Sequence, residues 1–187
     1  MDGCNGGSLG VNSFALVSYI PDPLATFLDR LRNDLVCECH LKAHVTVLPP
    51  RPLSFDIGDA WNQMQNRLPD FQPFRVELGE IEVFPVTDVI YLSVGAGHAE
   101  LQKLHAALNI DCLHFEEPFQ YHPHVTLAQE LSRDQLAGAK ELAKRRWHEF
   151  RDPRSFMVDK LTFVQNTLDD RWTDLNAWQL SSRVASL

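Results

Sequence analysis

The sequence predicts an α+β fold of two pseudo-symmetric lobes, with mainly antiparallel sheets facing a central cleft and helices outside. Three observations lead there. The order strand, helix, strand, helix, strand occurs twice along the chain. A His-Val-Thr strand at His44 recurs 80 residues later at His124. The chain has 187 residues, 44% of them hydrophobic and 22% charged, which is enough to bury one real core.

Met1 to Gly10 holds four glycines and reads as a loose tail. Residues 1–12 are therefore expected to be flexible. Residues 13–187 are expected to form a single bilobal domain, with lobe repeats at about 13–86 and 87–181. In the first half, Ser13 to Ile20 (SFALVSYI) is short and β-rich. Pro23 suits the first turn of a helix, whose stripe is Leu24, Phe27, Leu28, Leu31 and Leu35. Ala43 to Leu48 is a second strand, stopped by Pro49 and Pro50. Ala60 to Leu68 forms a helix, and Phe74 to Phe84 alternates like a strand with a bend at Gly79. In the second half, Val89 to Val94 is a strand and His98 to Leu108 carries Leu101, Leu104 and Leu108 at helical spacing. His124 to Ala128 is a strand, and Ser132 caps a helix running to Phe150. Phe156 to Val164 is read as one strand, with Met157 the counterpart of Val76. Leu175 to Leu180 follows a turn at Asp169-Asp170.

Composition excludes several function classes. Net charge is −8, which argues against an extended, sequence-independent nucleic-acid coat. A short or small phosphorylated ligand in one local pocket fits that charge. No apolar run approaches the roughly 20 residues of a membrane helix. Phe14 to Ile20 lacks a basic n-region, and Asp2 stands where myristoylation needs Gly, so neither a signal peptide nor a membrane anchor is expected. A cytoplasmic monomer with free thiols at Cys4, Cys37, Cys39 and Cys112 is the expectation. Cys37, Cys39, His40 and His44 include zinc-type ligands, but their spacing departs from that of structural zinc sites, and half-buried thiols are the favoured reading.

The residues that carry chemistry are His44-Val45-Thr46-Val47 and His124-Val125-Thr126-Leu127. Strand side chains alternate faces, so each lobe presents an imidazole and a hydroxyl together while its apolar residues enter the core. If the lobes face each other, two imidazoles and two hydroxyls converge. In-line displacement at phosphorus needs a base on the entering oxygen and an acid on the leaving one. Histidine serves in either state near neutrality. Threonine hydroxyls can donate to the non-bridging phosphoryl oxygens. One H-x-T says little, but two copies at matching places in a repeat are hard to explain by packing.

The paired H-x-T-apolar motifs, with the stretches His44–Arg51 (HVTVLPPR) and Tyr121–Ala128 (YHPHVTLA), resemble the 2H phosphoesterase superfamily. Within it, the chain looks like the bacterial 2′-5′ RNA ligase and RNA 2′,3′-cyclic phosphodiesterase family over about Phe14 to Leu180. The resemblance implies the bilobal fold, metal-independent hydrolysis of 2′,3′-cyclic phosphodiesters at RNA ends or in nucleotides, and no cofactor. It implies His44 as proton donor to the leaving oxygen, His124 as base on water, and Thr46 and Thr126 as phosphate-binding residues. Alternatives are 2′-5′ ligation, opening of another cyclic phosphodiester, or phosphate binding without turnover. Many relatives carry Arg after the second motif, where this chain has Gln129 and Glu130.

Arg51, between Pro50 and Pro52, is expected to bind substrate phosphate, because an acidic chain needs local positive charge there. Lys42 is read as surface. Tyr121 and Phe119 could stack on a base, though packing is favoured. His122 with His124 is a minority metal reading, and Lys144, Arg145 and Arg146 read as a solvated helix face. Arg171 and Trp172 could reach the cleft rim. Both limbs of the rate against pH are expected to come from the two histidines, centred near neutrality.

Overall fold

The computed structural model of the chain describes residues 13–36, 41–53, 55–167 and 171–182. The tail 1–12, the cluster at Cys37, Cys39 and His40, and the turn at Asp169-Asp170 lie outside the described residues. The element order is β1 (Phe14–Tyr19), α1 (Leu24–Leu35), β2 (His44–Arg51), α2 (Ile57–Arg67), β3 (Phe74–Val83), β4 (Ile90–Val94), α3 (His98–Leu108), β5 (His124–Ala128), α4 (Arg133–Glu149), β6 (Ser155–Val158), β7 (Lys160–Asn166) and β8 (Trp172–Gln179). Two sheets of four strands result, ordered β2-β1-β7-β8 and β5-β4-β3-β6, with every pairing antiparallel.

The two sheets do not follow the two halves of the sequence. β3 leaves the first half to pair with β4, and β7 leaves the second half to pair with β1. The expected Phe156–Val164 strand is broken at Asp159, so that β6 belongs to one sheet and β7 to the other. The break is tied down by the Leu180 N–H, which donates to the Asp159 carbonyl at 2.7 Å. Val76 and Met157 are therefore not equivalent positions. They sit on neighbouring strands, where Val76 pairs with Phe156 and Arg75 with Met157. The strand equivalent to β3 by sheet position is β7.

Local chemistry explains most boundaries. Asp22 accepts the Thr26 N–H at 3.0 Å and so secures the first turn of α1. Asp56 caps α2 by accepting from Gly58 N at 2.7 Å, which starts that helix before Ala60. At α4 the Ser132 N–H donates to Gln135 Oε1 at 3.1 Å. β2 does not stop at Leu48 but runs through Pro49 and Pro50, because it is an edge strand and missing N–H groups there forfeit no ladder bond. The register shift between Leu78 and Ile81 places a bulge at Gly79-Glu80, whose Gly79 carbonyl accepts Trp147 Nε1–H at 2.9 Å.

One apolar core joins both sheets. It runs from Leu16, Val45 and Val47 through Leu28 and Leu31 to Leu92, Val125, Leu127 and Trp147. Burying each such side chain contributes about 1.5–3 kcal/mol. The helices cross over as the strands do: α1 packs on β5 and α4, and α3 packs on β2. Phe27 of α1 meets Trp147 and Phe150 with ring centroids 6.0 and 4.4 Å away. No helix among the described residues is long and apolar enough to cross a membrane.

A buried polar network fixes the connection from α3 to β5. The Arg51 side chain is 2% exposed. Its Nε donates to Pro49 O at 2.9 Å, and its Nη1 to Asn109 Oδ1 at 2.6 Å and Leu113 O at 2.9 Å. Nη2 pairs with Glu117 Oε1 at 2.6 Å. The same oxygen lies 2.8 Å from His105 Nε2, and the His105 ring stacks on Tyr121 at 4.0 Å. The end of β2 thus holds the segment that delivers β5.

Two stability outcomes follow. Arg51→Met takes the guanidinium from Glu117, leaving it His105, and unpairs the Asn109 and Leu113 acceptors, so urea unfolding is expected to show a loss of about 3–5 kcal/mol. A loss below about 1 kcal/mol would show that the network is not what holds the segment. Gly97 has φ +87°, and an added Cβ would lie 2.6 Å from Arg75 O. Gly97→Ala is expected to lower stability by at least about 1–3 kcal/mol. Gly95→Ala, whose Cβ would sit 3.7 Å from Glu77 O, serves as the milder control.

Candidate active site

β2 and β5 are the edge strands of their sheets, and the fold sets them against each other. The Tyr121 hydroxyl, three residues before His124, donates to the Thr46 carbonyl at 2.7 Å and ties the two motif segments together. Alternation is as the period of a strand requires: Val45, Val47, Val125 and Leu127 are buried, while His44, Thr46, His124 and Thr126 are half-buried on the other face.

The two imidazoles are held in the same way. His44 Nδ1 lies 2.7 Å from Lys42 O, and His124 Nδ1 lies 2.7 Å from His122 O. A carbonyl only accepts, so in the neutral ring Nδ1 carries the hydrogen and Nε2 keeps its lone pair. Neither Nε2 has a hydrogen-bond partner among the described residues, and neither threonine hydroxyl has one. Each motif strand therefore offers one fixed ring nitrogen and one hydroxyl to a ligand.

Burial pushes the His44 imidazole down to about 4, against the pull of its bond to the Lys42 carbonyl, and the positive charges of Arg32 and His124 add to the fall. Burial is also the first cause of the lowered His124, with His122 adding to it. The two motif rings are thus near enough for the charge of one to act on the other. Both are neutral near pH 7 in the free protein, and an anion between them favours the protonated forms.

Each imidazole has an aromatic residue on the neighbouring strand. Tyr19 of β1 pairs with His44 in register, and its hydroxyl donates to Asp174 at 2.6 Å. His124 meets Phe84 and Tyr91 edge-on, at 5.0 and 5.4 Å. Tyr91 pairs in register with Thr126 and donates to Glu82 Oε2 at 3.0 Å. Burial holds the Tyr91 phenol up at about 12. Sequence reading missed Tyr19, Phe84 and Tyr91. The available signal was the register of the neighbouring strands, which periodicity alone does not give.

Arg51 requires correction. It is not presented to the cleft as a phosphate ligand, because Nε, Nη1 and Nη2 are committed to Pro49, Asn109, Leu113 and Glu117. Tyr121 packs on His105 rather than offering a free face for a base, and Phe119 is exposed. Trp172 packs over Ala15, Val17 and Val164, on the β1 face that also carries Tyr19, while Arg171 is exposed. Of the basic run on α4, Arg146 pairs with Asp34 at 2.9 Å and Lys144 with Glu141 at 3.5 Å. Cys112 donates to Gln63 Oε1 at 2.7 Å. Among the described residues no three His, Cys, Asp or Glu side chains are placed to hold a metal ion. A groove of about 460 Å³ between α1 and α4, lined in part by Phe27, Arg30, Arg146 and Phe150, includes none of the motif residues.

Comparison with solved structures finds the same fold elsewhere. Apo E. coli LigT superposes with a TM-score of 0.62 at 15% identity, covering 91% of this chain and 98% of that one. A structure described as a phosphoesterase gives 0.60 at 17% identity, covering 91% and 99%. E. coli LigT complexed with 3′-AMP gives 0.62 at 15% identity, covering 92% and 100%. No curated protein sequence matches the chain. The family model of the 2′-5′ RNA ligase superfamily matches residues 20–170, which include both H-x-T strands. The chain belongs to that superfamily, the 2H phosphoesterases.

Proposed function

We propose that the chain hydrolyses 2′,3′-cyclic phosphodiesters, at RNA ends or in nucleotides, without a metal ion. The observation that carries this reading is the matched pair of Nε2 atoms, each fixed by an Nδ1 bond to the carbonyl two residues before it. His124 takes a proton from the attacking water as its oxygen bonds to phosphorus. The bond from phosphorus to the leaving ribose oxygen breaks, and His44 gives that oxygen a proton. The products are a phosphomonoester and a free ribose hydroxyl. Thr46 and Thr126 donate to the non-bridging oxygens, where charge develops. E. coli LigT has been solved with 3′-AMP, a nucleoside monophosphate of the kind this reaction releases, and that ligand supports the proposal.

The test is incubation with adenosine 2′,3′-cyclic phosphate in strong chelator, with the products separated. Release of adenosine monophosphate is expected. No release, with the nucleotide still bound, would favour a binding protein without turnover. Activity only after a metal ion is restored would overturn the acid–base reading.

His44→Ala and His124→Ala are each expected to lower kcat by about 10²–10⁴-fold. Thr46→Ala and Thr126→Ala should be milder. Single histidine variants at near wild-type rates would exclude the mechanism.

The pH dependence also follows. The profile of kcat/KM reports the free protein. Both imidazoles are lowered there, so its optimum is expected on the acid side of the ordinary histidine value of 6.5, not centred near neutrality. The profile of kcat reports the complex, where the bound phosphate favours the charged rings, and should lie at higher pH. A rate climbing steadily to about pH 10, far above the ordinary histidine range, would instead indicate attack by hydroxide.

A further inference from the structure

The two motif segments match beyond H-x-T. Lys42-Ala43-His44-Val45-Thr46 and His122-Pro123-His124-Val125-Thr126 share one sequence of exposure: exposed, buried, half-buried, buried, half-buried. Lys42 and His122 therefore lie on the same face as the imidazoles, two residues outward on each lobe. The His122 and His124 ring centroids are 6.5 Å apart. The Lys42 and His122 carbonyls are the two that orient the rings, so the backbone that fixes each imidazole also carries one of these side chains.

Each of the two side chains rests on an aromatic shelf. Lys42 Nζ stands 5.3 Å from the centre of the Tyr19 ring. His122 meets Phe84 and Tyr91 edge-on at 5.5 and 5.8 Å, with His98 5.6 Å away. The carboxylates behind these shelves, Asp174 and Glu82, accept from the tyrosine hydroxyls. Two arginines of this region, Arg32 and Arg51, are buried. Arg51 is committed to its network. Buried Arg32 gives Nη1 to Leu41 O at 2.8 Å. Gln129 and Glu130 follow the second motif.

We infer that Lys42 and His122 are outer phosphate-binding residues, one on each lobe, and that the preferred substrates carry a further phosphate next to the cyclic one. This rests on the reading of the cleft as a phosphodiester site. A donor set outward from the imidazole meets a neighbouring phosphate rather than the group between the two Nε2 atoms. An ammonium and an imidazole N–H are the donors such an anion accepts from. In a chain of net charge −8, two local donors at the mouth would supply the attraction that the surface as a whole does not.

The test compares adenosine 2′,3′-cyclic phosphate with its 5′-phosphorylated counterpart. Wild type is expected to favour the second by about tenfold or more in kcat/KM, carried by KM, as befits a hydrogen bond to a charged group. Lys42→Ala and His122→Ala should each reduce that preference severalfold, and Lys42→Arg should keep most of it. Equal treatment of both substrates by wild type, or a preference that survives in both alanine variants, would overturn the inference. If neither compound is turned over, hydrolysis is the reading that fails, and calorimetry decides this one separately. Adenosine 3′,5′-bisphosphate should then bind wild type more tightly than 3′-AMP, and the advantage should shrink in the alanine variants. Equal affinities for the two ligands would end it.

Discussion

The exchange of β3 and β7 between the sheets is the constraint on which the rest of the molecule depends. Each sheet is completed by a strand from the other half of the chain, so neither half can bury its apolar face alone. One core spans both sheets. With the inner places taken by the exchanged strands, the motif strands are left at the edges, and the crossed packing of α1 and α3 sets those edges side by side. The cleft is a product of that topology rather than of two ready-made lobes docking.

Within the cleft the chemistry is set by backbone. Both rings are oriented by main-chain carbonyls, which carry no charge and do not titrate, so the orientation is the same at every pH where the fold survives. Burial makes the rings poor bases before a ligand arrives. An anion between them reverses that preference. The site thus couples proton uptake to phosphate binding, using the ligand's own charge.

Much of this was legible in the sequence because it is written at short range. The period of two in HVTV and HVTL gives the face of each imidazole, and the spacing of Leu24, Leu28 and Leu31 gives the buried stripe of α1. What was not legible depends on partners far along the chain. Arg51 reads as a loop cation ready for phosphate until its acceptors, 58 to 66 residues away, are seen. The stretch from Phe156 to Val164 reads as one strand, since nothing local marks Asp159 as the point where it changes sheets. Pro49 and Pro50 read as a stop because strand interiors reject proline, whereas an edge tolerates it. Lys42 reads as surface, and only comparison with His122 across the two lobes gives it a matching place.

Pro49 and Pro50 have a consequence for the company the protein keeps. An edge strand with a free row of N–H and C=O groups is a template on which another chain can add a strand and seed aggregation. β2 is such an edge. Two successive residues without N–H groups deprive an incoming strand of donors along that stretch, and the neighbouring motif residues face the cleft instead of a flat apolar margin. The same dipeptide that let the strand run on to Arg51 makes its rim an unrewarding surface for another protein's backbone.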